Sequence, residues 1–138
     1  MITSAPPLVS DVMTRRVLGV RADDSLLEAA RVMSDGNVGG VAVLGPSGDV
    51  AGFVSKTDLV DRLAEGRPLA DVRVGEIISG EVVETTELTP LDEALARMAF
   101  EGVHRALVRD ERGDPTGMLS AWDVLRAIGD RRLVLRVG

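Results

Sequence analysis

The chain has 138 residues, a net charge of −6, no cysteine, one histidine, and only two Phe and one Trp as aromatic residues. This composition excludes disulfides and thiolate or histidine-rich metal sites, and it leaves no basic, aromatic surface for a nucleic-acid partner. A carboxylate site for Mg²⁺ or Ca²⁺ is not excluded, although no EF-hand spacing occurs. No run of about 18 apolar residues and no export signal occurs, so the sequence predicts a cytoplasmic protein without a membrane partner.

The first half of the chain predicts one turn, three extended pieces and two helices. Ser10 is a candidate N-cap of the turn, and Asp24 or Ser25 caps the first helix. That helix has apolar residues at helical spacing and ends at Gly36. The predicted elements are a turn at 9–14, an extended piece at 17–20, a helix from 26 to 36, strands at 39–44 and 50–54 around a turn at 46–49, and a helix at 57–65.

The second half repeats the first without a gap. Matching residues lie 65 positions apart, as Met33 and Met98 do. A duplication of this extent is typical of two copies of one structural unit. One copy is too small to bury its sheet face unaided, so we expect the two sheets to pack together and leave clefts where equivalent strand–helix junctions face one another. Residues 133–137 have strand character and no counterpart in the repeat. They are expected to add an edge strand or to contact a second subunit.

Residues 52–58 predict a strand that runs directly into a helix. The glycine that opens this stretch lets backbone or a ligand come close. Ser55, Thr57 and Asp58 place two hydroxyls and a carboxylate at the helix entrance, whose N–H groups and partial positive charge favour phosphate. A carboxylate at this place can also accept two hydrogen bonds from a ribose diol. The stretch recurs, degraded, at 117–123.

The hairpin geometry places the start of its first strand beside the end of its second. Gly39 and Gly40 are therefore expected near Ser55, Thr57 and Asp58, in an open pocket lined by glycine. The corresponding pocket of the second half is charged, and its residues are His104, Arg105, Ser120 and Asp123. The two basic side chains of this second pocket are suited to phosphate.

The duplicated unit resembles a pair of CBS domains, the tandem regulatory module also called a Bateman module. The stretches that carry the resemblance are 9–14, 25–30, 38–41, 52–59, 103–108 and 117–124. The resemblance implies an α+β fold of two pseudo-twofold related repeats, β-α-β-β-α each, packed sheet to sheet. The predicted boundaries are repeat 1 at 9–64, a linker at 65–73, repeat 2 at 74–129, and terminal extensions at 1–8 and 130–138.

The family's nucleotide motif is Gly, hydrophobic, any, Ser or Thr, any, Ser or Thr, Asp, and residues 52–58 match it at every position. By resemblance, Asp58 binds the ribose hydroxyls and Thr57 binds a phosphate. Backbone near Gly40 and aliphatic side chains such as Val17 enclose the adenine.

The second copy departs from the motif at Trp122, where a hydroxyl is expected. The pair His104 and Arg105 resembles a basic pair that contacts phosphate in some nucleotide-sensing members. Structural alternatives stay open. Both Ser-x-x-Asp pairs have the spacing of a capping box. Arg105 could form an ion pair with Asp123, and His104 could be a surface residue. Gly39 and Gly40 could simply allow the sheets to pack closely.

The resemblance implies a stand-alone, non-catalytic regulatory module that binds AMP, ADP, ATP or S-adenosylmethionine in the cleft between the repeats. The ligand would act through the contacts of a homodimer or of a regulated protein partner. No cofactor is required, because the adenine nucleotide is a regulatory ligand, and no nucleophile–base pair indicates an enzyme. The alternative is a dimerisation and protein-interaction module that needs no ligand.

Overall fold

The computed structural model describes residues 6–78 and 82–134. Contacts divide the chain into two compact units, Val17–Val82 and a unit that joins Met1–Arg16 to Val83–Gly138. Each unit therefore contains the sheet and helices of one repeat, together with the opening turn of the other repeat.

Helices and strands follow the predicted β-α-β-β-α order in both units, which confirms the mixed helix and sheet fold. The first unit contains β1 (Gly19–Arg21), α1 (Leu26–Gly36), β2 (Gly40–Leu44), β3 (Val50–Ser55) and α2 (Lys56–Ala64). The second contains β4 (Glu84–Thr86), α3 (Leu91–Glu101), β5 (Arg105–Arg109), β6 (Pro115–Ser120) and α4 (Ala121–Gly129). Short 3-10 turns lie at Val9–Asp11, Leu69–Asp71 and Val74–Glu76.

The sheet of the Val17–Val82 unit has the order β1-β2-β3, with β1 parallel and β3 antiparallel to β2. The turn between β2 and β3 uses Gly48 at a φ of +85°, which glycine adopts without a side-chain clash. Ser25 caps α1, because its hydroxyl accepts the backbone N–H of Glu28 at 3.2 Å. The helix ends at Gly36 as predicted, and Asn37 forms its left-handed cap.

The other unit repeats this topology with the order β4-β5-β6. The opening turn of the first repeat packs here, since the N–H of Val9 donates to the carbonyl of Thr89 at 2.9 Å. Its 3-10 turn begins at Val9, and the carboxylate of Asp11 accepts the N–H of Leu8 at 2.8 Å. The prediction of Ser10 as the N-cap is wrong. Ser10 lies inside the turn, Leu8 occupies the N-cap position, and the carboxylate of Asp11 accepts the N–H of Leu8.

Each unit has its own apolar core. The core of the first unit consists of Val20, Leu26, Ala29, Met33, Val41, Val43, Val54, Leu59, Val72 and Val74. The core of the second consists of Val9, Val12, Met13, Val83, Leu91, Ala94, Met98, Ala106, Val108, Leu119 and Ala127. Full burial of one large aliphatic side chain contributes about 1.5–3 kcal/mol. Each core also includes residues that lead into or open the other repeat: Val72 and Val74 in one unit, Val9 and Val12 in the other.

The end of the chain does not form the predicted strand where it is described. Leu133 and Val134 are outside any strand, and 135–137 lie outside the described residues, as do 1–5 of the N-terminal extension. Within 6–78 and 82–134, no helix combines the length and the hydropathy needed to cross a bilayer.

Candidate functional site

The first strand–helix junction lies where β3 ends at Ser55 and α2 begins at Lys56, with no loop between them. Ser55 pairs with Gly40 across the hairpin. The N–H of Lys56 donates to the carbonyl of Gly39 at 3.0 Å. Gly39 and Gly40 therefore lie beside the helix entrance, as the hairpin geometry predicts.

Asp58 closes a capping box with Ser55 at this entrance. Its Oδ2 accepts the backbone N–H of Ser55 at 2.8 Å and the hydroxyl of Ser55 at 3.0 Å. The hydroxyl oxygen of Ser55 in turn accepts the N–H of Asp58 at 3.3 Å. No group in the described part of the chain donates a hydrogen bond to Oδ1 of Asp58, and the residue is only half-buried. The capping role is thus observed, and one carboxylate oxygen is left for another donor.

The remaining predicted residues of this junction surround the same helix end. Thr57 is exposed, so its hydroxyl is open to solvent. Val17 is half-buried and lies just before β1. The parallel register pairs Gly19 with Ala42, and continuing it back by two residues brings Val17 level with Gly40. The structure therefore brings Val17, the two glycines and the Ser-x-Thr-Asp sequence to one end of the sheet.

Gly52 packs against Ile78 of the same unit. A methyl group on this residue would lie 3.3 Å from Cβ of Ile78. The close approach that a glycine permits is here made by a side chain from the start of the second repeat. Gly52 is therefore explained by packing within its own unit.

The second junction has the same backbone layout. Arg105 pairs with Ser120, and the N–H of Ala121 donates to the carbonyl of His104 at 3.0 Å. Oδ2 of Asp123 accepts the N–H of Ser120 at 2.8 Å and its hydroxyl at 3.1 Å. The structure thus brings all four predicted residues of this junction together, and a second capping box forms.

The acid of the second junction is more deeply buried than Asp58. Asp123 is 4% exposed, and its Oδ1 accepts the hydroxyl of Thr14 at 2.7 Å. Nη2 of Arg126, one turn further along α4, lies 3.8 Å from the same oxygen. Both oxygens of Asp123 therefore have partners in the protein. Trp122, the residue that breaks the motif, points outward and is 64% exposed.

Sequence reasoning missed Thr14 and Arg126. Arg126 had a signal, because it lies three residues after Asp123 on one helix face. Thr14 had none, since 109 residues separate it from Asp123. Among the described residues, no group of three or more His, Cys, Asp and Glu side chains is arranged to hold a metal ion.

Several solved structures share this fold. A conserved protein from Pyrococcus horikoshii is 32% identical, with 100% of both chains covered and a TM-score of 0.78. A CBS domain protein from Pyrobaculum aerophilum, complexed with AMP, is 19% identical over 91% of this chain and 97% of its own, with a TM-score of 0.76. The CBS domain pair of protein MJ0100, in complex with 5′-methylthioadenosine and S-adenosyl-L-methionine, is 20% identical over 92% and 99%, with a TM-score of 0.79.

Curated relatives are often longer, and the chain spans from 24% to 73% of their lengths. The CBS domain model matches residues 9–65 and again residues 74–130, which together make up most of the chain. The two matches coincide with the duplicated halves that the sequence shows, and each contains one strand–helix junction with its Ser-x-x-Asp pair. The chain belongs to the CBS domain family and carries two CBS domains in tandem.

Proposed function

We propose that this CBS pair is a regulatory module that binds an adenine nucleotide or a related adenosyl ligand at the first junction. The observation that carries the proposal is Asp58, which is anchored through Oδ2 in a capping box and leaves Oδ1 without a donor among the described residues. A carboxylate held in this way is oriented before any ligand arrives. It can accept a ribose hydroxyl without first breaking its own hydrogen bonds.

The residues around Asp58 suit the other parts of such a ligand. The hydroxyl of Thr57, an exposed residue in the first turn of α2, is proposed to bind a phosphate oxygen, since the helix dipole favours negative charge at this end. Gly39 and Gly40 present backbone without side chains, and Val17 presents an aliphatic surface, as a flat adenine ring requires. Ser55 contributes by holding the acid in place.

Structural relatives support the class of ligand. The Pyrobaculum aerophilum protein was solved with AMP, and the MJ0100 pair with 5′-methylthioadenosine and S-adenosyl-L-methionine. These ligands share adenosine and differ in the charge and bulk of the group at the 5′ position. Binding any of these ligands therefore requires contacts to the ribose and the adenine. The contacts to the 5′ group would decide which of the ligands a given protein prefers.

Regulation requires that the ligand favour one state over another. We propose that it does so through contacts with a second copy in a homodimer, or with a protein partner, in a cytoplasmic setting that the lack of cysteine favours. The chain itself is proposed to be non-catalytic and to need no cofactor.

A ligand-independent interaction module is the second candidate. α4 carries two exposed apolar side chains three residues apart, Trp122 at 64% and Leu125 at 59% exposure. Residues three apart lie on one face of a helix, so this helix presents an apolar strip to its surroundings. Such a strip is typical of a surface that another protein covers.

A thermal-shift titration with adenosine, 5′-methylthioadenosine, AMP, ATP and S-adenosylmethionine tests the proposal, with GMP as the control. Ligand at 100 times its Kd stabilises the folded state by about 2.7 kcal/mol, so a binder raises the melting temperature in a concentration-dependent way. Guanine and adenine differ in their hydrogen-bonding edges, and GMP should give a smaller shift. A melting temperature that none of the five compounds raises would contradict the sensor and favour the interaction module.

A further inference from the structure

The second unit contains a cavity between its edge strand β4 and helix α3. The cavity has a volume of about 310 Å³, which is at the lower end of the range for small-molecule pockets. Its apolar lining, Val83, Ala94 and Ala106, is buried, whereas the charged side chains of Glu93 and Arg97 are exposed. The cavity therefore has an apolar interior and a charged mouth, and none of the predicted adenosyl-site residues lines it.

The first repeat has larger or less polar side chains at two of these positions. Ala106 corresponds to Val41, which is fully buried in the core of its unit. Arg97 corresponds to Val32, which packs against the same core. In the second repeat, apolar volume is thus replaced by space at one position and by a cation at the other.

Two opposite charges on α3 face the solvent without pairing with each other. Glu93 and Arg97 are four residues apart, in the order that favours an ion pair on a helix. Nη1 of Arg97 instead donates to the backbone carbonyl of Glu84 on β4 at 3.2 Å. Among the described residues, the carboxylate of Glu93 has no ion pair and accepts no hydrogen bond. The mouth therefore offers an anion and, separately, a guanidinium that keeps N–H donors for another acceptor.

The neighbouring side chains preserve this arrangement of charge. The carboxylate of Glu84, which also lines the cavity, lies 2.5 Å from Nε of Arg109 and is neutralised by it. In the first repeat, the counterpart of Glu93 is Glu28, which lies 3.9 Å from an arginine three residues later on α1. Ala96 occupies the position of that arginine in α3, so Glu93 lacks the corresponding cation.

We propose that this cavity binds a small aliphatic α-amino acid. The guanidinium of Arg97 binds the carboxylate, with which its planar N–H groups match in geometry. The carboxylate of Glu93 binds the ammonium group, and the buried apolar lining receives the side chain. The hydroxyl of Thr85, which is half-buried in the same lining, is a further hydrogen-bonding group for the ligand. The inference does not depend on adenosyl binding at the strand–helix junctions.

An NMR titration of the full chain with L-valine and L-leucine tests the inference, because amide shifts locate a ligand on the chain. We expect shifts at the amides of 83–86 and 93–97 and none at 55–58. Isovalerate and isobutylamine are the matched probes, since they are valine without its ammonium group and valine without its carboxylate. Each should bind at least roughly tenfold more weakly. Absence of shifts with both amino acids would overturn the inference, as would isovalerate or isobutylamine binding as tightly as L-valine.

Variants of the mouth and of the interior place the ligand. Arg97→Gln and Glu93→Gln change exposed side chains, so the fold should persist while L-valine binds at least roughly tenfold more weakly. Arg31→Gln, the same change at an exposed arginine of α1, is the control and should bind as the parent protein does.

Ala106→Val introduces the residue of the first repeat, fills the interior and should abolish binding, and its amide spectrum shows whether it is folded. Unchanged affinity in Arg97→Gln, or in a folded Ala106→Val, would overturn the proposed site. Should Ala106→Val not fold, the two variants of the mouth decide the question.

Discussion

The backbone of Thr14 crosses Gly117 so closely that a methyl group on Gly117 would overlap the carbonyl oxygen of Thr14. The same methyl group would lie 2.5 Å from Cε of Met13. Gly52 is the counterpart 65 positions earlier, and among the described residues the nearest atom to a methyl group on Gly52 is Cβ of Ile78 at 3.3 Å. In both units, the lack of a side chain at this glycine lets another segment of the same chain pack against it.

We predict that Gly117→Ala destabilises the protein. Overpacking typically costs about 1–3 kcal/mol, and the upper end applies at Gly117 because the obstacle is backbone, which cannot rotate away. Urea denaturation of the variant and of the parent protein measures the loss of stability. An unchanged free energy of unfolding would contradict the crossing of Thr14 over Gly117.

Asp58→Asn should weaken adenosyl binding and leave the fold nearly intact. The amide oxygen can still accept the N–H of Ser55, so the capping box survives in part and the loss of stability stays below the roughly 1 kcal/mol of a whole cap. The oxygen left for the ribose is replaced by an NH₂ group, which cannot accept. A hydrogen bond to a charged group contributes about 1.5–3 kcal/mol, so we expect roughly a tenfold to hundredfold weaker Kd by calorimetry.

Asp61→Asn is the matched control for that experiment, since Asp61 is an exposed residue of the same helix and changes charge in the same way. Its affinity for the ligand should equal that of the parent protein. A similar loss of affinity in both variants would mean that net charge, and not a ribose contact, governs binding.

Thr57→Val should distinguish ligands by their 5′ group. The substitution keeps the shape of the side chain and removes the hydroxyl that we assign to a phosphate oxygen. We expect the affinity for AMP to fall by about tenfold, the equivalent of about 1.4 kcal/mol, while 5′-methylthioadenosine binds as before. Calorimetry with the two ligands is the measurement, and the uncharged ligand is the internal control. An equal loss for both ligands would place Thr57 against the ribose or the adenine.

Ser25→Ala tests the cap of α1. The hydroxyl of Ser25 accepts the N–H of Glu28, and its removal should lower the free energy of unfolding by about 1 kcal/mol. Ser34→Ala makes the same chemical change inside the same helix at an exposed position, where alanine is the better helix former. The control should therefore be neutral or slightly stabilising. If the two substitutions have the same effect, Ser25 does not act as a cap.

Local patterns were sufficient to predict the first junction. The turn at 46–49 and the run of apolar residues on both sides fix the hairpin, and the hairpin alone brings Gly40 opposite Ser55. The Ser-x-x-Asp spacing is also local, and both capping boxes form as that alternative had them. The order of strands and helices followed for the same reason, because each element is encoded within a dozen residues.

The contact between Thr14 and Asp123 could not be predicted in this way. It depends on a hydrogen bond between residues 109 positions apart, and nothing near Asp123 encodes the arrival of Thr14. The sequence instead drew attention to Trp122, because it replaces a hydroxyl, yet that side chain is mostly exposed. The packing of residues 6–16 with residues 83–134 likewise depends on contacts between distant parts of the sequence, such as the hydrogen bond from the N–H of Val9 to the carbonyl of Thr89.

Glu76 gives the protein a pH-dependent contact in the 3-10 turn that opens the second repeat. Its carboxylate accepts the backbone N–H of Arg73 at 2.6 Å and lies 3.4 Å from the guanidinium of Arg67. The hydrogen bond from Arg73, and then the charge and hydrogen bond of Arg67, lower the pKa of Glu76 below its ordinary value of 4.5. A lowered pKa means that folding favours the ionised form, so this contribution to stability is complete above pH 4.5 and is lost as the pH falls through the lowered pKa.

Glu76→Gln should therefore be less stable than the parent protein at neutral pH, and the difference between the two should shrink as the solution is acidified below pH 4.5. Because the carboxylate is exposed, added salt should reduce the part of the difference that comes from Arg67 and leave the backbone hydrogen bond. Urea denaturation of both proteins across this pH range, at low and high salt, measures the effect. A stability difference that is constant with pH would show that Glu76 gains nothing from its charge.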